Sequence, residues 1–322
     1  MTHLGIDLGG TKTALGIVNT KGKIVDRTSF ESFADDFEGY FEILNHQIHK
    51  FLGACDLSPE SLKSIGVGCA GQIEMGTGKI FFSPNLGWKD APLGEGLRAN
   101  FPQAVVTVDN DVRAATLGEY LFGLKERVGI YVNVFLGTGI GSGLIIHNKI
   151  LRGASNSAGE IGQTSIKFDG PAAPNGNHGV YEYYGSGTGL TRIAKEYYKE
   201  HPGCLPVPSE EDITGKMVSE EAEKGNKDAI EILRLVGFHV GVGLTNIINF
   251  LNPHVITFGG GLGEIGPLLN DPMMETVKER AIPSAASAVE IRKARLGNDA
   301  GIIGAAFLHL IDSEGNIRPV ND

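Results

Sequence analysis

The sequence predicts an α/β protein made of two related domains. Strand-like apolar runs alternate with helix-like stretches along the chain, the pattern of an α/β fold. A strand, a glycine turn and a second strand open the chain as HLGIDLGGTKTALGIV, and a similar arrangement returns as IYVNVFLGTGIGSGLII. The spacing of the two copies is domain-sized, so it marks two related halves rather than a solenoid. At 322 residues the chain also has the length of about two domains.

In chain order, HLGIDLGGTKTALGIVNTKGKIV reads as strand, glycine-rich turn, strand, turn, strand. A helix is expected over Phe37–Leu52 and a strand over Ser64–Ala70; a further strand over Ala104–Asp109 runs into a helix over Val112–Gly123. After the second copy come helices near Leu190–Glu200 and Ser219–Lys224, and a longer one near Lys227–Phe250. A strand over His254–Phe258 then ends in three glycines. The last helix is expected to start at Asn298 or Asp299, either of which can cap the run GIIGAAFLHL. Its small residues Gly301, Gly304, Ala305 and Ala306 would let it lie close on a sheet.

Composition narrows the function. The 46 glycines exceed an ordinary share of about 7%, and without a collagen-like period they imply tight turns or backbone that approaches a ligand closely. A net charge of −10 argues against nucleic acid as a partner, because that binding rests on Lys and Arg. Three scattered cysteines, Cys55, Cys69 and Cys204, cannot form a disulfide framework and suit a reducing compartment. The N-terminus enters a strand at once, so no signal peptide is expected. Nor is a membrane partner, since no apolar run is seen to approach the ~20 residues of a span. The expectation is a soluble, cytoplasmic protein.

Four segments can carry chemistry. In the first, a strand ends at Asp7 and turns through Gly9, Gly10, Thr11 and Lys12. That turn brings unobstructed N–H groups, a hydroxyl and an ammonium into one small volume, which suits phosphate; an ordinary hairpin would look the same. Gly137 and Thr138 begin a second glycine turn at the equivalent place in the other half. Two such turns facing one another are what a nucleotide in an interdomain cleft needs.

The second segment, VDNDVRAA, puts Asn110 and Asp111 at the carboxyl end of a strand, where open α/β sheets place ligands. Asp111 can take a proton from a hydroxyl while Asn110 orients it; alternatively Asp109, Asn110 or Asp111 only caps the helix. Third, Glu160 stands between glycines in AGEIGQ and can approach a small polar ligand or merely face solvent, and Glu182 is read in the same way. Fourth, Gly259–Gly261 leave room for a flat base or ribose. The match GLGEIG to a dinucleotide fingerprint has too little chain after it for a Rossmann unit. No Walker A sequence and no GxSxG elbow occurs.

Taken in order, these motifs resemble the ROK family of repressors, open reading frames and kinases, within the sugar kinase and actin superfamily. The likeness runs from DLGGTK at Asp7 through SPNL at Ser83, Asn110–Asp111, GTGIGSG at Gly137 and GEIG at Gly159 to GNHGVYE at Gly176, GGG at Gly259 and DAGIIGAA at Asp299. It implies two actin-like, ribonuclease H-like α/β domains around an interdomain cleft, a small one of residues 1–115 plus 301–322 and a large one of 116–300. It further implies ATP with Mg²⁺, a hexose, and a homodimer. By position, Asp111 would be the general base and Asp7 would face the Mg²⁺ and phosphates. Gly9, Gly10, Thr11, Lys12, Gly137 and Thr138 would line the phosphate channel, and Gly259, Gly260 and Gly261 would lie under the adenosine. Gly71, Asn85, Asn110, Glu160, Gln163 and Glu182 would contact the sugar.

Two departures from the family pattern stand out. The family's zinc motif, GExGH followed by CxCGxxGCxE, has Gln163 at its histidine position and Ala173, Asn175 and Val180 at its cysteine positions. A structural zinc wants four nitrogen or sulfur ligands, so no zinc is expected, and His178 falls at a variable position. Gln163 can still hydrogen-bond sugar hydroxyls. Arg113 replaces an Asn common in the family. The resemblance implies ATP-dependent phosphorylation of a hexose, glucose first; fructose, mannose, allose or an N-acetylhexosamine, or a sugar-binding protein without turnover, are the alternatives. The family's repressors carry a DNA-binding domain ahead of the kinase-like part; with Asp7 so near the start of this sequence, none is expected here.

Overall fold

The computed structural model describes residues 2–32 and 36–320. Strands β1 (Thr2–Leu8), β2 (Lys12–Val18) and β3 (Ile24–Glu31) form an antiparallel ladder. Helix α1 (Phe37–Ala54) starts at Asp36, whose side chain accepts the Gly39 N–H, and leads to β4 (Leu62–Cys69), parallel to β1. Short strands β5 (Gln72–Ile73), β6 (Ile80–Ser83) and β7 (Trp88–Ala91) make a small separate sheet. Next come α2 (Leu93–Asn100), β8 (Val105–Asn110) parallel to β4, and α3 (Asp111–Gly118), which widens into a π-helical turn over Glu119–Gly123. The main sheet has the order β3-β2-β1-β4-β8. One face of its inner strands is apolar, with Leu4, Ile6, Leu8, Ile65 and Val67 fully buried, and the other carries Gly5, Gly66 and Gly68, since successive side chains point to opposite faces.

The chain then repeats itself with β9 (Ile130–Leu136), β10 (Ile140–Ile146) and β11 (Lys149–Ile150). Helices α4 (Glu182–Gly185), α5 (Gly187–Glu200), α6 (Gly215–Glu223) and α7 (Lys227–Leu251) follow. Beyond them lie β12 (Val255–Gly259), α8 (Pro267–Arg280), α9 (Pro283–Ala288), β13 (Glu290–Lys293) and α10 (Ala300–Ala306). The second sheet runs β11-β10-β9-β12-β13, with β10 and β11 antiparallel and β9, β12 and β13 parallel. Both sheets therefore have the same strand order and sense, and the weak sequence repeat is a repeated five-strand topology.

Two compact units result. One holds residues 1–129, 143–159 and 295–322; the other holds 130–142 and 160–294. The first boundary lies beyond residue 115 because α3 and its wide turn stay with the sheet that β8 belongs to, and the chain rejoins this unit at Arg295, ahead of residue 301.

Helix α7 corrects one expectation. It is 25 residues long with a window of mean hydropathy 1.3, so by length and composition it could cross a membrane. More than half of that window is buried within the protein. Ile232, Leu233, Val236, Val240, Leu244 and Ile248 face the interior, and Gly237 and Gly241 bring α7 against α8, where added Cβ atoms would lie 2.4 Å from the Leu269 carbonyl and 2.6 Å from that of Met273. It is the core helix of the second unit.

Helix α10 lies on the first sheet as its small residues predicted. A Cβ on Gly5 would stand 2.0 Å from the Ile302 carbonyl oxygen, and one on Gly66 only 1.7 Å from that of Ala305. Its start differs from the expectation, since neither Asn298 nor Asp299 makes a capping bond: the helix begins at Ala300, and the Asp299 carboxylate pairs with Arg27 at 3.1 Å.

Candidate functional site

In the first unit the parallel register aligns Asp7 of β1 with Gly68 of β4 and Gly68 with Asp109 of β8. Asn110 and Asp111 therefore emerge at the same edge of the sheet as Asp7. Gly68 permits this crowding, because a Cβ there would lie 3.3 Å from the Asp111 Cα. Burial pushes the Asp7 carboxyl up to about 6, and the charge of Asp111 adds to the rise. Burial also raises Asp111, opposed by the backbone N–H of Val112 and by Arg113.

The helix cap falls to one residue. Asn110 Oδ1 accepts the N–H groups of Val112 at 3.0 Å and Arg113 at 3.2 Å. Asp111 is inside the helix as its first residue, and its Oδ1 shares the Val112 N–H with Asn110 at 2.9 Å. Around the pair, Asn110 Nδ2 lies 3.5 Å from the Gly71 carbonyl oxygen. Gly71 has φ +139, and a side chain there would meet the Phe82 carbonyl at 2.5 Å. The Gly9 N–H closes the glycine turn on the Lys12 carbonyl at 3.1 Å, and a Cβ on Gly10 would stand 3.0 Å from the Asn85 carbonyl. Asp7, Gly9, Gly10, Thr11, Lys12, Gly71, Asn85, Asn110 and Asp111 all belong to this unit, around the ends of β1, β4 and β8.

The second unit builds a different cavity of about 830 Å³, within the usual range for a small-molecule site. Gly137 and Thr138 line it, with Gly261 and the first turns of α5 and α6. The turn is held on α5: Gly187 N–H donates to the Gly137 carbonyl at 2.8 Å, and Thr188 Oγ1 to that of Thr138 at 2.9 Å. Of the three glycines only Gly261 reaches this cavity. Gly259 is the buried end of β12, and Gly260, at φ +89, has no room for a side chain, since a Cβ there would stand 2.7 Å from the Leu136 carbonyl oxygen. Thr188, Lys216, Ser219 and Glu264 also line the cavity and were missed from sequence. Thr188 had a signal, since GSGTG at 185–189 is a third glycine-rich turn.

Glu160, Gln163 and Glu182 lie in this unit too. Glu160 precedes a single turn over Ile161–Gln163. The Glu182 carboxylate accepts the Ile140 N–H at 2.8 Å, next to Gly139, so one of its oxygens serves the turn between β9 and β10. At the four positions of the zinc motif, Ala173 and Val180 are buried and have no donor atom, so the residues present do not fit the metal. An amide clip stands there instead: Asn175 Nδ2 donates to Gln163 Oε1 at 3.2 Å and Asn177 Nδ2 to the Gln163 carbonyl at 2.9 Å. His178 uses Nδ1 on the Gly170 carbonyl at 3.1 Å. Among the described residues no group of three or more His, Cys, Asp and Glu is placed to hold a metal ion.

The chain is similar to known proteins over nearly its whole length. A glucokinase of Halalkalibacterium halodurans is 34% identical over 311 residues, covering 95% of this chain and 94% of that protein. The crystal structure of a ROK family glucokinase from Streptomyces griseus, in complex with glucose and AMPPNP, is 30% identical with a TM-score of 0.79, over 95% of this chain and 98% of that one. A xylose repressor of Caldicellulosiruptor bescii is 28% identical over 96% of this chain and 78% of its own length. The ROK family profile matches residues 3–311. With two copies of one sheet topology, an acid pair at the first and a glycine-walled cavity beside the second, the chain belongs to the ROK family.

Proposed function

We propose that the chain is an ATP-dependent sugar kinase that phosphorylates a hexose hydroxyl, with glucose the first substrate to test. The observation that carries this reading is the pairing of Asp111 with Asp7 at the carboxyl ends of β8 and β1, with helix capping delegated to Asn110. Asp111 would take the proton from the sugar hydroxyl, whose oxygen attacks the γ-phosphorus in line while ADP leaves. Its raised pKa makes it a stronger base than an ordinary carboxylate. Two half-buried acids that repel one another suit a divalent cation, and Asp7 would hold Mg²⁺ through the nucleotide phosphates; the ion would supply charge neutralisation there.

Gly9, Gly10, Thr11, Lys12, Gly137 and Thr138 are assigned to the phosphates, and Gly261 with its cavity to the nucleoside. Gly71, Asn85, Asn110, Glu160, Gln163 and Glu182 are assigned to the sugar by their place in the family pattern. Cys55, Cys69 and Cys204 are unpaired, which supports a reducing, cytoplasmic setting. ADP release measured over a panel of hexoses tests the reading; sugar binding with no turnover on any hexose would sink it. That outcome would favour the second reading, a sugar-binding protein without catalysis, to which the likeness to a xylose repressor points.

A further inference from the structure

We infer that Arg113 and Arg152 are positioning residues for the Asn110–Asp111 pair, acting through the buried Asp109 carboxylate that they hold from two sides. The inference rests on the kinase reading above. Asp109 is only 2% exposed. Its Oδ1 accepts Arg113 Nε–H at 3.0 Å, and its Oδ2 forms an ion pair with Arg152 Nη2 at 2.6 Å. The same Oδ1 accepts the backbone N–H of Asn110 at 2.8 Å.

The arginines are themselves tied down. Arg113 Nη1 donates to the Asn156 carbonyl at 2.9 Å, and Arg152 Nη1 to Asn156 Oδ1 at 3.3 Å. Asn156 Nδ2 donates in turn to the Ile73 carbonyl at 2.8 Å. Three segments of one unit, the β8–α3 corner, residues 152–156 and the end of β5, thus meet on one carboxylate.

Such a cluster is a poor source of net stability, because desolvating the ions offsets most of their attraction. Two cations around one anion make that balance worse. What the cluster does supply is orientation. Asp109 fixes the Asn110 N–H on one side and the next turn of α3 on the other, and Asp111 lies between those two anchors. A displacement of about 1 Å at a reacting group can cost on the order of 100-fold in rate. Arg152 reaches the Asp109 carboxylate and Asn156, so an effect of Arg152 on catalysis passes through Asp109. Arg113 from its own helix is the charged group that acts on Asp111, and Asp111 in turn faces Asp7 from β1 and Cys69 from β4, whose ionisation it opposes.

The test compares Arg152→Gln and Arg152→Lys with the parent protein, using ATP and a hexose that the parent turns over. Arg152→Gln should lower kcat about tenfold or more and leave the sugar Kd by calorimetry within about twofold. Arg152→Lys should recover much of the rate. An unchanged kcat, or a loss of rate matched by an equal loss of sugar affinity, would overturn the inference while leaving the kinase reading intact. A parent protein inert on every hexose would overturn both. Should Arg152→Gln not fold, Arg113→Lys keeps the charge but loses the fork; it should show the same fall in kcat with sugar binding kept, and a normal kcat there would overturn the inference.

Discussion

Glu182 and Ile140 are joined across 42 residues of sequence by a bond of 2.8 Å between a carboxylate oxygen and a backbone N–H. Gly139 makes room for it, since a Cβ there would fall 2.3 Å from the same oxygen. A residue assigned to the sugar is therefore also a support for the glycine turn assigned to phosphate.

The bond separates two substitutions. Glu182→Ala leaves a backbone N–H without its acceptor, a loss of about 1–3 kcal/mol of local support, and should raise KM for both ATP and sugar. Glu182→Gln keeps an acceptor oxygen and should raise KM for sugar much more than for ATP. Steady-state kinetics with each substrate varied would show it; an unchanged ATP KM in the Ala variant would mean the turn does not need this support.

Asp111→Asn preserves shape and removes the base. With Asn110 still capping α3, the fold should be kept, and kcat should fall by about 10²–10⁴ while sugar affinity by calorimetry changes little. Nearly unchanged activity would make some other group the base.

Much of this architecture was legible because glycine and acid positions are dictated by backbone. The DLGG and LGTG turns, and the strand ends that carry Asp7 and Asn110–Asp111, need particular residues at particular spacings, so a sequence displays them. Side-chain partners chosen at long range were not legible. Asp109 looked like one of three possible caps, yet its partners Arg113 and Arg152 lie 4 and 43 residues further on. Asp299 looked like a helix cap, but an arginine from β3 claims it. Helix α7 was under-read as a hydrophobic stretch because Asn246, Asn249 and four glycines or histidines punctuate it, although its apolar face is continuous. Residues of the second unit's cavity such as Lys216 and Glu264 escaped because only folding collects them from separate helices.

The loop at 163–182 should be indifferent to metal removal. Metal analysis should find no stoichiometric zinc, and chelation should leave Tm unchanged, because amides occupy the place of ligands. About one zinc per chain would refute this. Asn175→Ala should instead loosen Gln163 and raise the sugar KM while ATP KM stays constant.

Gly66→Ala tests how closely α10 lies on the first sheet. The added methyl would stand 1.7 Å from the Ala305 carbonyl, a backbone atom that cannot swing away. Overpacking of this kind costs about 3 kcal/mol or more, so Tm should fall by many degrees. Gly53→Ala, where nothing lies within 4 Å, should leave Tm unchanged or slightly higher. Equal Tm values for the two variants would contradict the packing.

Asp7 should set function against stability. Its carboxyl is moved from 3.8 to about 6 on folding, by burial first and by Asp111 second. An acid with a raised folded pKa disfavours the folded state when ionised, so the sign is fixed: no penalty below about pH 4, where it is protonated folded or unfolded, and the full penalty above about pH 6. At 1.36 kcal/mol per unit this is about 3 kcal/mol at neutral pH. Asp7→Asn should therefore be more stable than the parent at pH 7.5 without Mg²⁺ or nucleotide, show little gain at pH 4, and have lost nearly all activity. Denaturant midpoints at the two pH values check it; a gain that is the same at both, or a less stable variant at pH 7.5, would show that burial of the Asp7 charge is not what the folded state opposes.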